Sequence, residues 1–290
     1  NYGDISLWAS GDRTINDEWT AGTKITASRY VQPNDPSISL RLSSTNFTYW
    51  SFTLNPNVQY YFSEWGSLQL SYSHNIEDYQ KIEDSTPYDN NNNTFSLTLN
   101  TQFNQFNGSI SGTYYNINYK DLTAYTPEGN NNDQGIIDNY HNWTAGVDLS
   151  YTFESWYPWL NYTYTYQKGN FEGYDNYQSN SVSLGFSYSF GTQQQYTIDG
   201  YVSYDNYNYD AMLVTPDTFL NYFSNIYSGE TVKFKDFTSF LEFSWQAQSR
   251  LKIYANSNFY NRDSNEKSRF TMYNHGYQQW ISTVGMQMTF

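Results

Sequence analysis

The chain of 290 residues contains no cysteine, few charged residues (14%) and no long apolar run. Without thiols it can form neither disulfides nor thiolate metal sites, which suits passage through an oxidising compartment. The mean hydropathy is −0.77, and no stretch approaches the roughly 18 consecutive apolar residues of a membrane-spanning helix. These absences exclude a helical membrane protein. They leave a β-barrel open, because lipid-facing and lumen-facing residues alternate along its strands.

Positive charge is also scarce. The sequence has 14 Lys and Arg residues against 28 Asp and Glu, which gives a formal net charge of −14. Phosphate binding needs clustered basic residues, so this balance argues against a nucleic-acid partner. With no cysteine and only 3 histidines, we expect neither a metal site nor a cofactor. Aromatic residues make up 21% of the chain, which predicts a folded rather than a disordered protein.

Apolar and polar residues alternate with period 2 along segments of about ten residues, the pattern of strands with two different faces. Aromatic residues crowd the ends of these segments, as in the girdles of membrane barrels. Only residues 108–119 leave the two faces undecided. The alternation predicts Leu97, Leu149 and Leu184 toward lipid, and Ser96, Asp148 and Ser183 toward the lumen.

Short and long connections between these segments also alternate, which is the rhythm of consecutive hairpins. Short connections are predicted near residues 31–36, 63–66, 104–107, 154–158, 191–194 and 247–249. Long ones are predicted at 10–18, 77–93, 120–140, 168–180, 205–236 and 261–275, with a tight turn at 44–46 on the same side. This predicts one all-β domain over residues 1–290: an antiparallel up-and-down transmembrane β-barrel of about fourteen strands. Short turns and both termini are expected in the periplasm.

The segment from Gly276 to Phe290 is the last predicted strand. Trp280, Val284, Met286 and Met288 fall on one face, and an aromatic residue ends the chain. This arrangement resembles the closing strand of bacterial outer-membrane β-barrels, in which the terminal Phe is an assembly signal. Since a strand also starts almost at Asn1, we expect a mature chain or a barrel cut from a longer one.

The resemblance extends over the whole chain to monomeric fourteen-stranded porins, and it rests on architecture rather than on a motif. It implies a location in the bacterial outer membrane among lipids and lipopolysaccharide, with the barrel assembly machinery as a partner. It also implies a porin-like channel for passive diffusion of ions and small polar solutes, with a monomer as the favoured state.

The predicted pore lining is rich in Ser, Thr, Asn, Gln, Gly and Tyr, with scattered charges. Such a lining suits water and neutral polar solutes, and its tyrosines could stack on the faces of oligosaccharides. Counting from the first hairpin would place Asp4 opposite Lys24. The pore-lining candidates are Lys24, Arg41, Asp148, Asp199, Tyr201, Glu242, Lys252 and Tyr254.

The connection at residues 205–236 is the longest and has an apolar centre. Apolar side chains on a free external loop would be exposed to water, so we expect a lid at the mouth built on Met212, Leu213, Phe219 and Phe223. Packing against neighbouring loops or the membrane interface is the alternative.

Three long loops are acidic. Residues 77–93 carry five acids and one Lys, 120–140 four acids and one Lys, and 205–236 five acids and two Lys. One sign of charge around a mouth concentrates counter-ions, so we expect modest cation selectivity.

Two further classes of protein are alternatives to a pore. Lipase-type barrels have a Ser two residues after the catalytic His, and omptin-like proteases use Asp-x-Asp and Asp-x-His pairs; neither pattern occurs here. The sequence therefore predicts that the chain is not an enzyme. The other alternative is the barrel domain of a polysaccharide-export system or another partner-dependent outer-membrane complex, which the coding sequence upstream of Asn1 would distinguish.

Overall fold

The computed structural model describes residues 3–31, 49–79, 89–127, 133–174, 176–214, 229–265 and 276–288. These residues form strands, listed here in chain order: β1 (Gly3–Thr14), β2 (Trp19–Val31), β3 (Tyr49–Ser63), β4 (Gly66–Tyr79), β5 (Asn90–Phe103), β6 (Phe106–Thr123), β7 (Ile137–Tyr151), β8 (Trp156–Gly169), β9 (Tyr177–Phe190), β10 (Tyr196–Leu213), β11 (Thr231–Gln248), β12 (Leu251–Ser264) and β13 (Tyr277–Met288).

The strands follow one another in the sheet in their sequence order. Neighbours pair antiparallel, as in β1 with β2 and β12 with β13. The predicted fold class is confirmed: the chain is an all-β, antiparallel, up-and-down sheet. In the ranges given above, no helix has the length and apolar character needed to cross a membrane.

Connections of two lengths alternate along the chain, and from residue 63 onward they follow the predicted order. Those after β1, β3, β5, β7, β9 and β11 contain two to five residues, and those after the even-numbered strands up to β12 contain seven to seventeen. Because antiparallel neighbours alternate in direction, all the short connections lie at one edge of the sheet and all the long ones at the other. We call these the short-turn edge and the long-loop edge.

The first hairpin corrects one predicted connection. Residues 10–18 were expected to form a long loop, but β1 continues to Thr14 and the chain turns within residues 15–18. The Asn16 side chain accepts hydrogen bonds from the backbone N–H groups of Glu18 (3.0 Å) and Trp19 (2.9 Å), which stabilises the tight turn. The register moves with the turn, so Lys24 lies opposite Ser10 and Asp4 opposite Tyr30. The predicted Asp4–Lys24 pairing is therefore wrong.

The described chain has thirteen strands instead of about fourteen. A predicted strand between residues 36 and 44, which contains Arg41, falls outside the described residues. β2 pairs directly with β3 through Tyr30 and Tyr49. The location of both termini in the periplasm stays a prediction.

Strands β10 and β11 extend further toward the long-loop edge than predicted. Two of the four residues predicted to form the lid therefore lie in a strand. Met212 and Leu213 belong to β10, and Leu213 lies opposite Thr231 of β11. The alternation of β10 continues through Tyr207 and Tyr209. The pairing of β10 with β11 therefore extends past residue 205, where the sequence predicts that the loop begins. Phe219 and Phe223 lie outside the described residues.

Contacts divide the chain into two compact units. The first comprises Asn1–Leu99, Ser111–Trp143 and Gln167–Asp175, and the second comprises Asn100–Ile110, Thr144–Tyr166 and Asn176–Phe290. The single domain predicted for residues 1–290 stays a prediction.

In the second unit, hydrogen-bonded partners divide the side chains into an apolar and a polar face. Leu184 lies opposite Val202, and the next position, Ser183, lies opposite Ser203 with their hydroxyl oxygens 3.0 Å apart. Leu184 is 54% exposed and Val202 43%.

The first unit has the same division. Phe52 lies opposite Ile76 on its apolar face, whereas Ser51 lies opposite Glu77 on its polar face. On β5, Leu97 is exposed, while Ser96 Oγ lies 3.1 Å from Thr113 Oγ1 of β6. This contact decides which face each residue of the segment 108–119 occupies. Thr113 lies on the polar face with Ser96, and Ile110 and Tyr114 lie on the apolar face.

Candidate functional site

The polar face of β10–β12 in the second unit brings together five of the predicted pore-lining residues. Asp199 lies opposite Glu242, which lies opposite Asn256 on the next strand. Lys252 donates a hydrogen bond from Nζ to Glu242 Oε1 (3.0 Å), and Asn256 donates from Nδ2 to Glu242 Oε2 (3.3 Å). Both oxygens of the Glu242 carboxylate thus have donors, while Asp199 adds a further negative charge beside this pair.

Aromatic rings form a second group on the same face, one position closer to the long-loop edge. Tyr201 stacks on Phe240 with ring centroids 5.5 Å apart, and Trp159 lies 6.3 Å from Tyr201. Trp159 covers Gly185, where an added Cβ would come within 2.4 Å of the indole carbons. The absence of a side chain at Gly185 therefore lets this large ring lie close to the sheet.

Tyr254 occupies a similar position over another glycine. A Cβ added to Gly285 would lie 2.3 Å from the phenol ring of Tyr254. The ammonium group of Lys252 lies 6.0 Å from the centre of this ring. Flat rings beside carboxylate, amide and ammonium groups provide both stacking surfaces and hydrogen-bonding groups for polar solutes.

Closer to the long-loop edge, the same face carries an ion pair that the sequence did not predict. Arg262 donates from Nε to Asp236 Oδ1 (2.7 Å) and from Nη2 to Asp236 Oδ2 (2.5 Å). The guanidinium carbon lies 4.3 Å from the ring centre of Phe234. Bidentate pairing and ring contact together fix the position of this arginine. The sequence predicts Asp236 in a loop, and only the strand pairing brings it to Arg262 of β12.

The polar face of the first unit has a hydrogen-bond cluster around Glu77, which was also assigned to a loop. Glu77 accepts hydrogen bonds from Asn75 Nδ2 (3.1 Å), Tyr79 OH (3.0 Å) and Asn90 Nδ2 (3.0 Å). Nearby, Lys120 Nζ lies 3.7 Å from Asp89 Oδ2. These groups sit at the ends of β4, β5 and β6, at the long-loop edge.

The remaining predicted pore-lining residues are distributed more widely. Lys24 is exposed on β2, on the same face as Trp8, with its ammonium group 5.6 Å from the indole centre. Asp148 of β7 accepts hydrogen bonds from Ser109 Oγ (3.0 Å) and Asn161 Nδ2 (2.5 Å). Arg41 lies outside the described residues. Among the residues described, no group of three or more His, Asp or Glu side chains is placed to hold a metal ion.

Three solved structures illustrate what this fold is similar to. The loop-L8 deletion mutant of OmpT, an outer membrane protein of Vibrio cholerae, has 10% identity and a TM-score of 0.49, with 99% of this chain and 97% of that chain covered. The alcaligin outer membrane receptor FauA of Bordetella pertussis has 12% identity and a TM-score of 0.53, with 96% and 56% covered. CdiB of Acinetobacter baumannii has 13% identity and a TM-score of 0.52, with 99% and 53% covered. No protein-family model matches the chain, and no curated protein matches it significantly.

At 10–13% identity these likenesses show the fold and no activity. The structures similar to this chain are outer-membrane β-barrel proteins, and this chain spans about half the length of FauA and CdiB. The location in the bacterial outer membrane, with lipid around the protein, is thus confirmed. The finer resemblance to fourteen-stranded porins is not confirmed.

The prediction that the chain is not an enzyme is corrected by the same structures. It rested on the absence of two catalytic sequence patterns. The structures similar to this chain include a receptor, FauA, as well as CdiB. Outer-membrane proteins of different kinds share the fold, so the absence of two sequence patterns does not exclude an enzyme.

Proposed function

We propose that the polar faces line a water-filled channel through the outer membrane, by which ions and small polar solutes diffuse passively. The observation that supports this most is the division of each unit into an exposed apolar face and a polar face. Lipid covers the apolar face in the membrane. The carboxylates, amides and hydroxyls of the polar face need water or polar solutes as partners.

The chemistry of the polar face indicates which solutes this channel would accept. The Glu242–Lys252 pair leaves the lining in its vicinity close to neutral, apart from Asp199. Tyr201 and Tyr254 present rings next to these polar groups, which supports small sugars among the solutes. A lining of this kind would act as a general filter by size and polarity.

Single-channel recording tests the proposal with a matched pair of variants from one strand. The purified protein should produce discrete conductance steps in planar bilayers. Tyr201→Ala, on the polar face of β10, should raise the conductance because it removes a ring from the lining. Tyr204→Ala, on the apolar face of the same strand, should leave it unchanged. Folded protein that produces no steps, or two variants with equal effects, would refute the channel.

A further inference from the structure

The apolar face of the second unit contains a groove of about 610 Å³ that extends across β8 to β13. Two small residues, Ser239 and Ser257, line it between large side chains, and Gly200 lies beneath the Phe186 ring and the Leu241 side chain. Gly200 and Ser257 both lie opposite Leu241, and Ser239 lies opposite Val202. Tyr201 and Phe240, whose side chains point to the polar face, also line the groove.

The groove is long and narrow. It crosses six strands, and five spacings of about 4.8 Å give a length of roughly 24 Å. Trp156 of β8 stands toward one end and Trp280 of β13 toward the other, 45% and 71% exposed. Transmembrane strands are inclined by about 35–45° to the membrane normal, so a groove across them is also inclined and open to the surrounding lipid.

The lining offers almost nothing to water or to a polar ligand. Leu184, Phe186, Val202 and Leu241 form much of the wall. The hydroxyl of Ser257 on the floor already lies within hydrogen-bonding distance of Ser282 Oγ (3.3 Å). An apolar cavity of this kind does not hold ordered water. A volume of about 610 Å³ over a length of roughly 24 Å gives a mean cross-section of about 25 Å². The occupant is therefore apolar, linear and about one hydrocarbon chain wide.

The groove is continuous with the surface that faces lipid in the outer membrane. We propose that it binds one acyl chain of an outer-membrane lipid and holds it longer than the chains around it. The bound chain fills the space over Ser239 and Ser257, so that its methylene groups replace the packing that larger side chains would otherwise supply. The binding site is independent of the proposed channel.

Electron paramagnetic resonance tests this with phosphatidylglycerol that carries a nitroxide on one acyl chain, in vesicles containing the full chain. Ser239→Leu with Ser257→Leu fills the groove and adds only apolar surface toward lipid. The double variant should show about one fewer motionally restricted chain per protein than the wild type. Ala145→Leu, an exposed position on the apolar face outside the groove, should match the wild type.

Equal numbers of restricted chains in all three proteins, or an equal loss in Ala145→Leu, would overturn the proposal. Ser257→Gly deepens the groove without adding bulk and should keep the restricted chain; its loss would contradict the site. The molecular mass in mild detergent addresses a second copy as the occupant. A wild-type dimer that becomes a monomer when the groove is filled would show that protein, not lipid, occupies it.

Discussion

Two ion pairs differ in how far water reaches their side chains. In the Arg262–Asp236 pair the side chains are 20% and 10% exposed, whereas in the Lys120–Asp89 pair the Lys120 side chain is 53% exposed and the Asp89 side chain 7%. Removing one partner of a desolvated pair leaves an uncompensated charge. The solvated Lys120, 3.7 Å from its partner, contributes less, and Asp89 keeps a hydrogen bond from the backbone N–H of Tyr79 (2.7 Å) when Lys120 is removed. The two pairs should therefore respond differently to truncation.

Asp236→Ala should lower the free energy of unfolding by about 3 kcal/mol, because Arg262 then loses both acceptors while it remains against Phe234. Lys120→Ala should cost less than about 1 kcal/mol. Urea titration of the protein folded in vesicles measures both. Losses of equal size would show that the Arg262 side chain is as well solvated as Lys120.

Adjacent positions on β9 give a second comparison of single side chains. Leu184→Arg places a charge on the lipid-facing side and should cost roughly 2–4 kcal/mol if the position is near the midplane of the bilayer. Ser183→Arg should be much less destabilising and should mainly change conductance. Unfolding and conductance measurements on both variants separate these outcomes, and a greater loss of stability for Ser183→Arg would reverse the assigned faces.

Packing of rings on glycines links neighbouring strands. Gly185→Ala should lower stability by about 1–3 kcal/mol, since its Cβ would lie 2.4 Å from the Trp159 ring, which must move. Gly112→Ala in β6 meets nothing within 4 Å and should be neutral or stabilising by up to about 1 kcal/mol. Vesicle unfolding experiments check the pair. A neutral Gly185→Ala would show that Trp159 does not rest on the glycine.

Strand periodicity made the faces of most strands predictable from the sequence. Around Leu184 and Ser183, one set of alternate residues is apolar and the other is small or polar. This difference shows which side chains share a face of the sheet. In β6 both sets of alternate residues contain apolar and polar side chains. Only the pairing of β6 with β5 and β7 shows which set lies on the apolar face. The short connections after β3, β5, β7, β9 and β11 were predictable, because only a few residues interrupt the alternation there. The turn at Asn16 was missed because charged and polar residues continue along both strands beside it.

The predicted site was correct in part for the same reason. Glu242, Lys252 and Tyr254 follow the alternation within strands, so their shared face could be predicted. Asp236 and Glu77 lie in strand ends beyond the expected membrane span, where acidic residues resemble loop residues. The partners of Asp236 and Glu77 can be identified only when the register between neighbouring strands is known. The spacing of residues along one strand does not indicate which residue of the next strand lies opposite.

The distribution of charge over the chain predicts a modest preference for cations. Acids are concentrated toward the long-loop edge, although Asp236 and Asp89 are paired with Arg262 and Lys120. Reversal potentials in a KCl gradient should show cation preference at low salt. It should weaken as the Debye length shortens from about 10 Å at 0.1 M to about 3 Å at 1 M.

Asp121→Asn with Asp133→Asn removes two exposed acids near this edge and should reduce the cation preference without changing the single-channel conductance at 1 M salt. Anion preference at low salt, or a selectivity independent of salt concentration, would show that these acids do not set the field that permeating ions experience.

The central claim is that one face of the sheet meets lipid and the other meets water. The chain has no cysteine of its own, so single cysteines at Ser183 and Leu184 report on one face each. In vesicles, a charged, water-soluble maleimide should label Ser183→Cys readily and Leu184→Cys hardly at all, although both label fully in urea. Equal labelling of the two in vesicles, or faster labelling of Leu184→Cys, would contradict the account.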